Sequence, residues 1–267
     1  MRSLAAVVVV ASVVASVVAP ARAEGEWHDG DRGRARVVNI AVTAGLGGTV
    51  LASIAFRGRF QPARCRWCAP PAFDAAVRRA LIWDDIYAAR RISDVVALAL
   101  PITGIGISLL PVLADGGGTG ELLDVALPIA GTLAINQSLT QIFKLGFART
   151  RPAIHFAETP GAWNAEDHVS FVSGHTSFAF AAATSAGMVA RQRGSRYEPA
   201  IWAAGLTLAA SVGYLRIAGD KHYLSDVLVG AVLGTATGLI VPTLMRHDGD
   251  DAPATTAPAM LSFGGAF

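Results

Sequence analysis

Five stretches of the chain, 37–56, 92–113, 122–143, 199–217 and 223–245, are long, apolar and nearly free of charge. No alternating pattern of useful length competes with their helical periodicity, so the chain reads as all-α. About 20 apolar residues match the hydrocarbon thickness of a bilayer. Each stretch therefore predicts a membrane span or the interior helix of a soluble bundle, and length with low charge favours the span. The weakest is 37–56, which contains Gly45, Gly47 and Gly48. In 122–143, Asp124, Asn136, Gln137 and Gln141 must face protein or water if that helix spans. A sixth segment, 173–190, is shorter and rich in small residues.

Composition agrees with a membrane location. The 267 residues are 52% hydrophobic and 16% charged, against about 25% charge in soluble domains. The net charge of +2, with no basic cluster among aromatics, argues against a nucleic-acid partner. At the N-terminus, Arg2, an apolar core over 4–19 and the small-residue step Ala21-Arg22-Ala23 form a signal-peptide pattern. The competing reading is an uncleaved anchor helix. Cys65 and Cys68 are the two cysteines, too few for a structural zinc site; a local disulfide or two quiet thiols is the expectation, ahead of a redox pair.

These features divide the chain into a signal-like segment 1–23, helices with an Arg-rich segment over 24–121, a core over 122–245 and a tail over 246–267. Residues 24–245 are expected to form one domain, without internal repeats. The tail carries Asp248, Asp250 and Asp251 in an Ala-Pro-Thr mixture, a composition that predicts disorder. Within 57–91, Phe73, Val77, Leu81 and Ile86 recur at roughly helical spacing. They predict a helix lying on the interface or against the bundle.

Three polar groups interrupt the apolar runs. Lys144 to Arg151-Pro152 follows the 122–143 helix, Ser173-Gly174-His175 opens the next, and Arg216 to His222 and Asp226 joins the last two. Helix order puts all three at one end of an antiparallel bundle. Lys144, Arg151 and Arg216 then offer positive charge suited to phosphate oxygens. Ser173 and Gly174 sit at a helix N-terminus, whose free N–H groups favour an anion. His175 and His222 can move protons or attack phosphorus. Asp226, one helical turn after His222, can accept its Nδ1–H and leave Nε2 as the nucleophile. Singly, each residue is more often a cap or a snorkelling charge. Gathered at one end of an apolar bundle, they call for a phosphate-like guest. Arg149, His155, His168 and Lys221 lie near the motifs, where a place lining the mouth is open to them, and none is assigned a role. Asp220, Asp226 and Glu166 are scattered, so no acidic metal cluster is expected.

At these residues the sequence resembles the type-2 phosphatidic acid phosphatase family, which shares its fold with bacterial acid phosphatases and vanadium haloperoxidases. The family pattern Lys-x6-Arg-Pro, Pro-Ser-Gly-His and Ser-Arg-x5-His-x3-Asp is met in order over 122–245. Val172 replaces the proline and Leu215 the serine. The resemblance implies a helical bundle, here with 5–6 spans, and a phosphatase with no metal or other cofactor. In it His222 attacks phosphorus to give a phosphohistidine and Asp226 orients it. His175 protonates the leaving oxygen and later activates water. Lys144, Arg151, Ser173, Gly174 and Arg216 hold the phosphoryl oxygens. The implied substrate is a lipid phosphate or isoprenyl (pyro)phosphate in the membrane. The rivals are a soluble periplasmic acid phosphatase, a vanadium haloperoxidase and a non-catalytic lipid-binding protein.

Arg191, Arg193 and Arg196 lie between helices at the opposite end. The positive-inside tendency puts them in the cytoplasm and the site in the periplasm of a bacterial-type envelope. A spanning 37–56 must then begin inside, whereas a cleaved signal delivers residue 24 outside. Either 37–56 does not span, or the N-terminal run is no export signal, or the mature protein is soluble.

Overall fold

The computed structural model describes residues 29–158, 161 and 164–245. The signal-like segment 1–23 and the tail 246–267 lie outside the described residues. The helices are α1 (Asp29–Ala55), α2 (Arg57–Phe60), α3 (Ala72–Leu81), α4 (Ile86–Ala114), α5 (Thr119–Phe147), α6 (Pro152–His155), α7 (Gly174–Gln192), α8 (Glu198–Ala218) and α9 (Leu224–Leu244). Among the described residues no strand joins them beyond one isolated bridge, Trp67 to Arg149. The all-α expectation holds, and each of the six apolar segments lies largely within one long helix. Five helices, α1 from Gly33, α4, α5, α8 and α9, are long and apolar enough to cross a membrane.

The shorter helix α7 is the hub, packed against α4, α5, α8 and α9. Its small side chains make this possible. Ala179, Ala182 and Ala183 pack with Ala97 and Leu100 of α4 and Ala209 and Val212 of α8. On α9, Gly230, Gly234 and Gly238 recur every fourth residue and lie directly on the α7 backbone. A Cβ at 230 would stand 2.8 Å from the Ser173 carbonyl oxygen, and one at 238 would stand 3.0 Å from that of Ala181. Small residues let helices approach where lipid supplies no hydrophobic drive between them.

Polar residues fasten the same seam. Buried Asn136 of α5 donates to Ser177 Oγ at 2.8 Å and Thr237 Oγ1 at 3.0 Å, joining α5, α7 and α9. Asp124 is paired with Arg36 of α1 through hydrogen bonds of 2.8 and 2.7 Å. Asp124 and Asn136 thus face protein, as a spanning α5 requires.

Helix α1 lies along α5 and runs parallel to it. Arg36 meets Asp124 near both N-termini, and Leu46 packs on Ile135 farther along. Its outer face, with Val37, Leu51 and Ile54, is exposed. Helix α1 therefore starts at the end that carries Arg191, Arg193 and Arg196, the direction a span beginning there requires.

The Arg-rich segment is helical over the short α2 and over α3, and Ile86 opens α4 instead of extending the α3 stripe. Asp85 ends the break by accepting a hydrogen bond from Ala88 N at 2.9 Å, an N-cap. Phe73 is exposed, and its neighbour Asp74 is fully buried. The inward face is one position off the apolar stripe because an ion pair, described next, draws Asp74 inside.

Candidate active site

All three polar groups meet at one end of the bundle. Ser173, the residue before α7, donates its backbone N–H to the Asp226 carbonyl at 3.0 Å, so the starts of α7 and α9 are stapled together. This bond, with Ser170 N to Arg149 O at 3.0 Å, holds the turn where Val172 stands in place of the family proline. Gly174 makes room for Lys144: a Cβ there would lie 3.1 Å from Lys144 Nζ. Arg151 is buried; its Nε donates to the Glu166 carbonyl at 2.7 Å, and its Nη1 lies 3.3 Å from the Lys221 carbonyl and 3.4 Å from His222 Nε2. Arg216, also buried, donates to Asp94 Oδ1 at 2.8 Å and Ser93 Oγ at 3.1 Å. Its Nε has no hydrogen-bond partner among the described residues. Such an orphaned donor suits a phosphate oxygen. Ser173 Oγ is engaged with Thr176 Oγ1 at 2.8 Å, and the residue is fully buried.

His222 is held differently from the expectation. Its Nδ1 lies 2.8 Å from the Ser170 carbonyl oxygen and 3.6 Å from Asp226 Oδ2, beyond hydrogen-bond reach. A carbonyl only accepts, so Nδ1 carries the proton and Nε2 is bare in the neutral ring. Burial, with the charges of Arg151, Arg216 and Lys144, pushes the imidazole well below its ordinary pKa and keeps it neutral. Asp226 acts one step back. Its Oδ2 accepts from Ser170 Oγ and, at 2.9 Å, from Tyr223 N, fixing the residues on both sides of the ring.

The other Asp226 oxygen accepts from Arg149 Nη1. Arg149 is 1% exposed, so it does not line the mouth. Its second amino group donates to Asp74 Oδ2 at 2.6 Å, and Asp74 also accepts from Ser225 N at 2.9 Å. One guanidinium thus lies between two fully buried carboxylates at the start of α9, where helix N–H groups favour negative charge. The loop carrying His222 is tied down from outside as well. Arg78 of α3 pairs with Asp220 at 2.6 and 2.8 Å, and Arg90 of α4 donates to the Gly219 carbonyl at 2.7 Å.

His175 is half-exposed on the far side of the site, with Nε2 3.0 Å from Asp94 Oδ1. Asp94 comes from α4 and is 55% exposed. Of the remaining nearby residues, Lys221 stands 3.7 Å from Glu166, and His168 is 3.2 Å from Thr150 Oγ1. Among the described residues no three His, Cys, Asp or Glu side chains gather as a metal site.

Residues 125–249 match the PAP2 superfamily, and every motif residue named above falls inside that span. The part of the chain that carries the site is therefore similar to this superfamily. Over 69 residues it is 44% identical to Lipid A 1-phosphatase from Porphyromonas gingivalis, a stretch covering 26% of this chain and 15% of that protein. The crystal structure of Aquifex aeolicus LpxE is similar at 27% identity and TM-score 0.43, over 65% of this chain and 96% of that one. The first transmembrane PAP2 type phosphatidylglycerolphosphate phosphatase from Bacillus subtilis follows at 21% identity and TM-score 0.38, over 64% and 90%. Asp74 and Asp94 lie before the PAP2 match, and no motif in the sequence marks them.

Proposed function

We propose that this protein is a membrane phosphatase of the PAP2 type that removes a phosphate monoester from a lipid through a phosphohistidine on His222. The observation that carries the reading is the bare Nε2 of His222, held neutral and facing Arg151. Nε2 attacks phosphorus in line as the ester P–O bond breaks, and His175 gives the leaving alkoxide its proton. Water then attacks the phosphohistidine, His175 takes a proton from it, and inorganic phosphate leaves with His222 restored. Lys144, Arg151, Arg216 and the N–H groups at the start of α7 stabilise charge on the phosphoryl oxygens. Asp226 is a positioning residue acting through Ser170.

Two observations support a site facing away from the cytoplasm. Cys65 and Cys68 form a disulfide, which persists in oxidising compartments, and their loop sits at the site end. Arg191, Arg193 and Arg196 lie at the opposite end. The five apolar helices support a substrate drawn from the bilayer. The relative named for lipid A makes a glycolipid phosphate the first substrate to try.

The test is phosphate release by purified protein from lipid A, phosphatidylglycerol phosphate, phosphatidate and soluble p-nitrophenyl phosphate. Turnover of a lipid with carbonate-resistant membrane association supports the reading. Turnover of the soluble ester alone by a carbonate-extractable protein overturns it. Vanadate, a mimic of five-coordinate phosphorus, is expected to inhibit competitively, and a chelator to leave the rate intact.

The pH profile of kcat/KM supplies a further expectation. His222 must be neutral to attack, and its pKa lies well below 6.5. Activity should therefore persist as pH falls through 6.5 and be lost only well below it. Lys221 is pushed down to about 8, chiefly by burial, so its 3.7 Å ion pair with Glu166 should weaken above that pH.

Asp94→Asn tests the proton donor. Burial pushes the His175 imidazole below its ordinary pKa, and the Asp94 carboxylate works against that by favouring the charged form, the one that protonates the leaving group. Neutralising it should move the alkaline limb of kcat to lower pH. An unmoved limb would remove Asp94 from the mechanism.

A further inference from the structure

The loop closed by the Cys65–Cys68 disulfide lies outside the PAP2 match, yet it touches the catalytic end at several independent points. Arg66 donates its backbone N–H to the Ala148 carbonyl at 3.0 Å and its side chain to the Gly146 carbonyl at 2.7 Å. These are carbonyls at the end of α5, the helix that carries Lys144. Ala148 ends that helix at φ 45°, a left-handed conformation uncommon for an L-residue, and so needs neighbours to hold it. Trp67 accepts from Thr150 N at 3.0 Å through its own carbonyl. Its indole covers the Arg149 guanidinium at 3.8 Å, and Tyr223 closes the other face at 4.3 Å. The same indole packs on Phe171, two residues before Ser173, at 5.6 Å.

We infer that this disulfide loop is a positioning clamp for the phosphatase site: Arg66 fixes the end of α5, and Trp67 holds Arg149 against Asp226. The chain of contacts is continuous. Trp67 covers Arg149, Arg149 holds Asp226, Asp226 holds Ser170, and the Ser170 carbonyl sets the tautomer of His222. A stacked guanidinium in a water-poor site gains from the ring quadrupole and loses the freedom to rotate off its carboxylate. The disulfide limits the conformations that the short loop samples, so Trp67 is presented in one place. None of these loop residues touches the reacting atoms. Their effect passes through Arg149 and the end of α5.

The inference rests on the phosphatase reading, so its test has one arm that needs no turnover. Trp67→Ala and Cys65→Ser/Cys68→Ser are compared with wild type in phosphate release from phosphatidate in detergent micelles. Displacements of about an ångström at a catalytic group cost up to about a hundredfold. The expected result is a loss of about tenfold to a hundredfold in kcat with KM within about twofold. Trp67→Phe, which keeps a ring over the guanidinium, should restore most of it. Amide hydrogen exchange is the second arm. In both loop variants, exchange should quicken around 145–151 and 168–173 and stay at wild-type rates in the middle of α7 and α9. Unchanged local exchange overturns the clamp, with or without turnover, and so does unchanged kcat in the loop variants of an active enzyme. A wild type that hydrolyses none of the phosphate esters tried overturns the phosphatase reading instead, and exchange alone then decides the clamp.

Discussion

His222→Ala is expected to lower phosphate release by roughly a thousandfold or more, because the group that forms the covalent intermediate is gone. The rest of the anion site survives the change. Arg151, Arg216 and the start of α7 are held by contacts that do not pass through the imidazole, apart from the 3.4 Å approach of Arg151. The variant should therefore still bind vanadate and unfold near the wild-type temperature in the same detergent. Undiminished turnover in such a folded protein would sink the phosphohistidine mechanism. Asp226→Asn is expected to cost less in rate, since Nε2 and the Ser170 carbonyl remain.

Arg149→Met is expected to be the most damaging single change to stability. It leaves Asp74 and Asp226, both fully buried, without the guanidinium they share. Breaking a buried ion pair by removing one partner costs about 3–5 kcal/mol. Folding free energies are about 5–15 kcal/mol in total, so the loss is a large share. Arg149→Lys should recover only part, because an ammonium lacks the fork that reaches both carboxylates. Thermal unfolding in one detergent, with Arg149→Met set against Asp74→Asn/Arg149→Met, reads this directly. The double variant should be the more stable of the two, since it removes one stranded charge. Equal stability of Arg149→Met and wild type would refute the account.

Much of the helical framework is legible in the sequence because apolar length and charge depletion are local properties. The same holds for the motif residues, whose spacing along known helix ends brings Lys144, Arg151, Ser173, Gly174, His175, Arg216, His222 and Asp226 to one end. What escapes is whatever depends on a partner distant in sequence. Asp94 looks like an ordinary charge near a helix start until α4 lies against His175 and Arg216. Phe73 and Asp74 exchange their expected places because burying Arg149 demands a second carboxylate, a requirement that no helical stripe encodes. The His222–Asp226 spacing was a sound reason to expect a direct hydrogen bond. The Ser170 carbonyl wins instead because Arg149, Ser170 Oγ and Tyr223 N already engage the carboxylate.

The glycine seam between α7 and α9 bears on how the protein lives with a changing bilayer. One imidazole is carried at the start of α7 and the other just before α9, and these two helices meet backbone to backbone with no long side chain between them. Such a contact has little room to slide or splay. When lipid thickness changes, helices accommodate by tilting. Tilt can be taken up by the outer helices, while the seam carries both histidines as one rigid body. The spacing of the proposed nucleophile and proton donor would thereby be insulated from membrane mechanics, with elastic strain in the bilayer absorbed first by the outer helices.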